Sequence, residues 1–146
     1  MMEFMKAALA MAKEALDAGE VPVGAVVVFE GKIVASARNE REQTGDPTAH
    51  AELLALRRAA QSLGRRRLSG CTLYVTLEPC PMCAGAIIMA GVDQVCFGAY
   101  DPKAGCTGSV YALPEDPAFG REIPCMGGMM EKECRELLDG FFDSRR

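Results

Sequence analysis

No stretch of this sequence is long and apolar enough to cross a bilayer: the longest apolar run, Val21 to Phe29, falls far short of the roughly 20 residues a spanning helix needs. Met1 to Leu16 carries Glu3, Lys6, Lys13 and Glu14 at helical intervals, so neither a membrane span nor a signal peptide is expected. Basic charge is also short, with 16 Lys and Arg against 20 Asp and Glu and a net charge of -4. That argues against a broad electrostatic footprint for nucleic acid and leaves room only for a local basic patch. Internal repeats, low-complexity tracts and linkers are missing, and histidine occurs once, at position 50.

What is present suits one compact domain over residues 1–146, 49% hydrophobic and 25% charged. Seven cysteines, an odd number spread through apolar segments, fit a reducing cytoplasm better than a disulfide framework. Apolar residues at three- and four-residue steps predict a helix from Glu3 to Ala18, closed by Gly19. Val21–Phe29 and Lys32–Ala37 predict two strands joined tightly through Glu30-Gly31, and Asn39 to Pro47 a polar loop. Further helices are expected from His50 to Gly64, over Pro81–Ala90 and over Met129–Phe142. Strands are expected over Thr72–Leu77 and Gln94–Ala99, with a short fifth within Ile123–Met126. Strands separated by helices after an opening hairpin imply an α/β fold, a mixed sheet covered by helices on both faces.

Two stretches carry chemistry: Thr48-Ala49-His50-Ala51-Glu52 and Leu77-Glu78-Pro79-Cys80-Pro81-Met82-Cys83. Cys80 and Cys83, three apart, stand on one face of a helix whose start favours thiolates. With His50 they make three ligands for a tetrahedral zinc, leaving one position open to water, the mark of a catalytic site. Two residues are about 200° apart on a regular helix, so His50 belongs at the lip of its helix and Glu52 turns toward the water, where it can take and return a proton. A Cys-x-x-Cys alone is equally compatible with a redox pair or half of a structural zinc site. The order His-x-Glu followed by Pro-Cys-x-x-Cys is far more specific and matches zinc-dependent nucleobase deaminases. Cys71, Cys96, Cys106, Cys125 and Cys134 are expected as small buried side chains.

On these motifs, with Val21-Pro22-Val23-Gly24-Ala25-Val26, Asp46-Pro47, Phe97-Gly98-Ala99, Glu133-Cys134, Leu137-Leu138 and Phe141-Phe142, the chain resembles the bacterial tRNA-specific adenosine deaminases of the cytidine deaminase-like superfamily. The resemblance implies a three-layer α/β/α fold around a five-stranded mixed sheet, one zinc per subunit and a homodimer. It implies conversion of the wobble adenosine of a tRNA anticodon stem-loop to inosine, by water activated on zinc between His50, Cys80 and Cys83, with Glu52 carrying protons to the ring and the departing ammonia. Asn39 matches the base-contacting Asn of the pocket mouth, and the backbone at Ala51 is expected to face the base. Asp101 and Lys103 match the loop that meets the anticodon; Phe142, Arg145 and Arg146 match the helix end that packs on RNA.

Three departures from the family pattern stand out. Met89-Ala90-Gly91-Val92 lacks the usual Arg, Phe119-Gly120-Arg121-Glu122 replaces an Asn-His, and Asp143 stands where a basic residue is frequent. They leave the zinc chemistry untouched but bear on RNA docking. A deaminase of free guanine, cytosine or adenine bases or nucleosides is therefore the alternative, and a non-catalytic zinc module with a fourth cysteine ligand a third reading.

Overall fold

The computed structural model describes residues 1–145; Arg146, one of the residues matched to RNA contact, lies outside the described residues. The elements are α1 (Met2–Asp17), β1 (Gly24–Phe29), β2 (Lys32–Arg38), α2 (Arg41–Thr44), α3 (Ala51–Leu63), β3 (Cys71–Leu77), α4 (Pro81–Ala90), β4 (Gln94–Ala99), β5 (Cys125–Met126) and α5 (Glu131–Asp143). The strands form one sheet in the order β2-β1-β3-β4-β5, with β1 antiparallel to both neighbours and β3, β4 and β5 parallel. Helices α1 and α5 meet on this sheet, as do α3 and α4. This is the five-stranded mixed sheet between helices that the sequence predicts. Among the described residues no helix is long and apolar enough to cross a membrane.

The β1–β2 hairpin turns through Glu30 (φ 51°) and Gly31 (φ 75°), two successive left-handed residues whose twist matches that of the strands they join. Helix α1 buries Met5, Ala8, Leu9, Ala12 and Ala15, the three-and-four spacing of one face. That face lies so close to β1 that a Cβ on Gly24 would sit 2.1 Å from the Ala8 carbonyl oxygen and 2.5 Å from the Ala12 nitrogen. Both are backbone atoms that cannot swing aside. Gly24→Ala is therefore expected to destabilise the fold by about 3 kcal/mol or more, measured by denaturant unfolding; a loss within experimental error would mean that α1 slides freely on the sheet.

Three boundaries differ most from the sequence reading, the first being β1, which begins at Gly24 and not at Val21 because the Val23 N–H closes a local turn onto the Val21 carbonyl at 2.8 Å. The segment Asn39 to Pro47, expected as loop, contains the single helical turn α2, which has no apolar periodicity to announce it. It is held from outside: the buried Glu20 carboxylate accepts the N–H groups of Glu42 at 3.0 Å and Gln43 at 2.7 Å. Strand β5 is only Cys125–Met126; the N–H of the buried Ile123 donates to the Pro114 carbonyl at 2.7 Å and not to the sheet. Cys71, Cys96, Cys106 and Cys134 are buried as expected, whereas Cys125 is half-buried. Burial pushes the thiols of Cys125 and Cys134 up to about 12 and about 11.

Candidate metal centre and active site

Two helix starts converge on one point. His50 precedes α3 and Cys80 precedes α4, each with an extended backbone (φ -76°, ψ 147° and φ -76°, ψ 176°) whose carbonyl opens its helix by accepting from Leu54 and Ala84. Pro81 takes the first helical position of α4, where its missing N–H removes no bond. His50 thus stands at the lip of its helix, as the spacing to Glu52 requires. Its Nδ1 lies 3.6 Å from Cys80 Sγ and 3.5 Å from Cys83 Sγ. Tetrahedral bonds of about 2.3 Å to sulfur and about 2.0–2.1 Å to nitrogen place the two donor types about 3.5 Å apart, so the set fits zinc without rearrangement. Among the described residues these three are the only group of His, Cys, Asp or Glu with ligand atoms close enough to share a metal. The fourth cysteine ligand of a structural zinc module is not there.

The electrostatics already divide the two sulfurs. Cys80 is held down to about 4, chiefly because Cys83 donates to it, aided by His50. The same thiolate and burial push the Cys83 thiol up, and the thiolate raises His50. A bound dication would favour the thiolate form of both sulfurs. Glu52, in the first turn of α3, is only 4% exposed and burial raises its carboxyl to about 7. It stands beside Cys83 but outside the ligand trio.

A cavity opens onto this centre, walled by Val21, Val23 and Leu77 and edged by Asn39, Ala51 and Asp101. Asn39 is buried; its Nδ2 donates to the Val21 carbonyl at 3.4 Å and its Oδ1 accepts from Arg41 N at 3.2 Å. One amide hydrogen and one lone pair remain for a ligand. Asp101 holds its own loop, accepting from the N–H groups of Lys103 (3.0 Å) and Ala104 (3.2 Å). Asp101, Lys103, Phe142 and Arg145 line a groove that shares Leu77 and Asp101 with the cavity. Phe142 is 49% exposed and edge-on to Phe141, whose ring carries the Arg145 guanidinium at 3.8 Å. His50, Glu52, Cys80, Asn39, Ala51 and Asp101 thus line the cavity, with Cys83 buried behind it, while Lys103, Phe142 and Arg145 lie on the adjoining groove. Arg65, in the basic turn after α3, is occupied by the carbonyls of Arg67 and Ser69 and by the Phe29 ring.

Two lining residues were not singled out from the sequence. Arg41 leaves no sequence signal, being one charge in a polar segment. Glu78 does leave one, a carboxylate at the end of an apolar strand, and it is 2% exposed. Two of the three departures meet in space: Gly91, which closes α4 in the left-handed conformation, offers its carbonyl to Arg121 Nη1 at 2.8 Å, and Arg121 Nη2 pairs with Asp93 at 3.1 Å. A guanidinium therefore lies beside position 91, delivered from position 121.

Comparison with known proteins agrees with this geometry. The family model of MafB19-like deaminases matches residues 1–146. The chain is 48% identical over 143 residues to the tRNA-specific adenosine deaminase of Bacillus subtilis, covering 98% of this chain and 89% of the relative, and 44% identical to that of Aquifex aeolicus, covering 98% and 94%. A structure solved in work on A-to-I editing by tRNA:A34 deaminases superposes with a TM-score of 0.90 at 40% identity, over 94% of this chain and 100% of that one. The guanine deaminase from Nitrosomonas europaea superposes with a TM-score of 0.83 at 25% identity, over 96% and 83%. Identity at this level along nearly the whole length, together with the deaminase ligand trio, places the chain among the bacterial tRNA-specific adenosine deaminases.

Proposed function

We propose that this chain hydrolyses the wobble adenosine of a tRNA anticodon stem-loop to inosine, as a cytoplasmic homodimer of single deaminase domains with one zinc in each. The observation that carries the chemistry is the trio His50, Cys80 and Cys83 with the buried Glu52 carboxylate beside it. His50, Cys80 and Cys83 would hold the zinc, which would supply the Lewis acidity that makes water a nucleophile near neutral pH. The Glu52 carboxylate would take one proton from the attacking water and give it to the ring nitrogen, then take the second from the hydroxyl formed at the reacting carbon and give it to the amino group that leaves as ammonia. Asn39 presents its spare amide hydrogen and lone pair to the purine edge, and Val21, Val23 and Leu77 exclude water around it. Lys103, Phe142 and Arg145 would take the flanking RNA on the groove beside the cavity. The uncharged α4, with Met89 78% exposed, supports pairing of two copies through an apolar helix face.

Zinc-loaded protein mixed with the cognate anticodon stem-loop is expected to form inosine at the wobble position, with apparent affinity falling as salt rises because phosphates are contacted. No conversion by loaded dimer overturns the reading. The guanine deaminase among the structural relatives supports free-base deamination as the second reading. Ammonia release from a panel of guanine, cytosine, adenine and their nucleosides separates the two.

A further inference from the structure

Four donors of one surface loop converge on a single buried carboxylate that the reaction itself does not use. Glu78 follows β3 and stands two residues before the ligand Cys80. Its Oε1 accepts the Asp101 N–H at 2.9 Å and the Ser109 hydroxyl; its Oε2 accepts the N–H groups of Thr107 at 3.2 Å and Ser109 at 2.8 Å. The loop wraps so closely that a Cβ on Gly105 would stand 2.2 Å from Glu78 Cδ. The Cys106 N–H donates to the Pro79 carbonyl at 2.8 Å, tying the same loop to the residue between Glu78 and the ligand.

This loop supplies Asp101 and Ala104 to the cavity wall and Lys103 to the adjoining groove. The metal ligands and Glu52 belong instead to the starts of α3 and α4. The groups that do the chemistry and this part of the substrate-receiving wall thus sit on different segments of the chain, and Glu78 joins them. Resting on the function proposed above, we infer that Glu78 is a positioning residue: by clasping residues 101–109 it sets where the substrate-receiving wall stands relative to the metal centre, and so governs recognition of the substrate and not the chemical step.

Glu78→Gln is nearly isosteric, yet whichever way its amide is turned, the NH2 faces two of the four donors. Gly105→Ala keeps Glu78 and pushes the loop away by the clash. Ser109→Ala deletes only the hydroxyl bond. The experiment measures stem-loop kinetics, zinc content and amide hydrogen exchange at Asp101, Thr107 and Ser109 for the full chain and these variants.

Glu78→Gln and Gly105→Ala are each expected to raise KM about tenfold with kcat within about twofold, to retain one zinc per chain and to accelerate exchange across 101–109. Ser109→Ala is expected to change KM in the same direction by less. An unchanged KM, a fall in kcat at constant KM, or loss of zinc in Glu78→Gln overturns the proposal, because a merely structural carboxylate would affect stability without splitting KM from kcat. If the unmodified chain turns over no stem-loop, the functional reading fails instead; the clasp is then read from amide exchange alone, where an unchanged 101–109 segment overturns it.

Discussion

Glu52→Ala is expected to reduce inosine formation by about 10²–10⁴-fold, the usual contribution of a positioned general acid and base, while one zinc per chain stays bound. The separation follows from geometry, since Glu52 lies outside the ligand trio and removing it takes no donor from the metal. Its burial raises the carboxyl to about 7, which poises the group to accept and return a proton near neutrality. Alanine is a strong helix former, so the first turn of α3 and the placement of His50 persist. Single-turnover inosine formation with parallel metal analysis checks this. Turnover within about tenfold of the unmodified protein, or zinc lost with activity, would remove Glu52 from the proton-carrying role.

Cys83→Ala is expected to abolish both stoichiometric zinc and turnover. Cys83 is completely buried on the inner side of α4, and its sulfur is 3.5 Å from His50 Nδ1, so nothing from solvent replaces it at the right distance. The affinity loss should exceed the roughly 10–100-fold that follows removal of a supporting group around a metal site. Cys134→Ala is the matched comparison: that thiol is equally hidden, but it packs against Gly98 in the layer between β4 and α5. There zinc and activity should survive. Competition against a chelator of known affinity reads the difference, and zinc retained by Cys83→Ala would sink the ligand assignment.

The sequence made the fold legible wherever periodicity and punctuation act locally. Pro81 and Gly91 bound α4 where the residues indicate, and Gln94–Ala99 is a strand end to end. The candidate metal trio was legible because helical spacing brings Cys80 and Cys83 together within one turn, and because the order His-x-Glu then Pro-Cys-x-x-Cys singles out His50 over the other cysteines as their partner. What was hidden depends on partners distant in the chain. The second and third N–H groups of α2 are accepted by Glu20, more than twenty residues away. Glu78 is quoted within the second motif, but its four partners lie 23 to 31 residues further on. The departures at Gly91 and Arg121 look unrelated thirty positions apart, and become one arrangement only when α4 ends beside the turn that carries Arg121.

The convergence of the two helix starts would also make a zinc bound as proposed a cross-link. His50 and Cys80 are thirty positions apart, with all of α3 and β3 between them, and an unfolded chain would not hold them within bonding distance of each other. Folding and metal uptake are therefore thermodynamically linked: each tenfold increase in free zinc above its dissociation constant adds about 1.4 kcal/mol to the unfolding free energy. The resistance of this protein to heat is then a function of the zinc buffer around it, and not a constant of the chain.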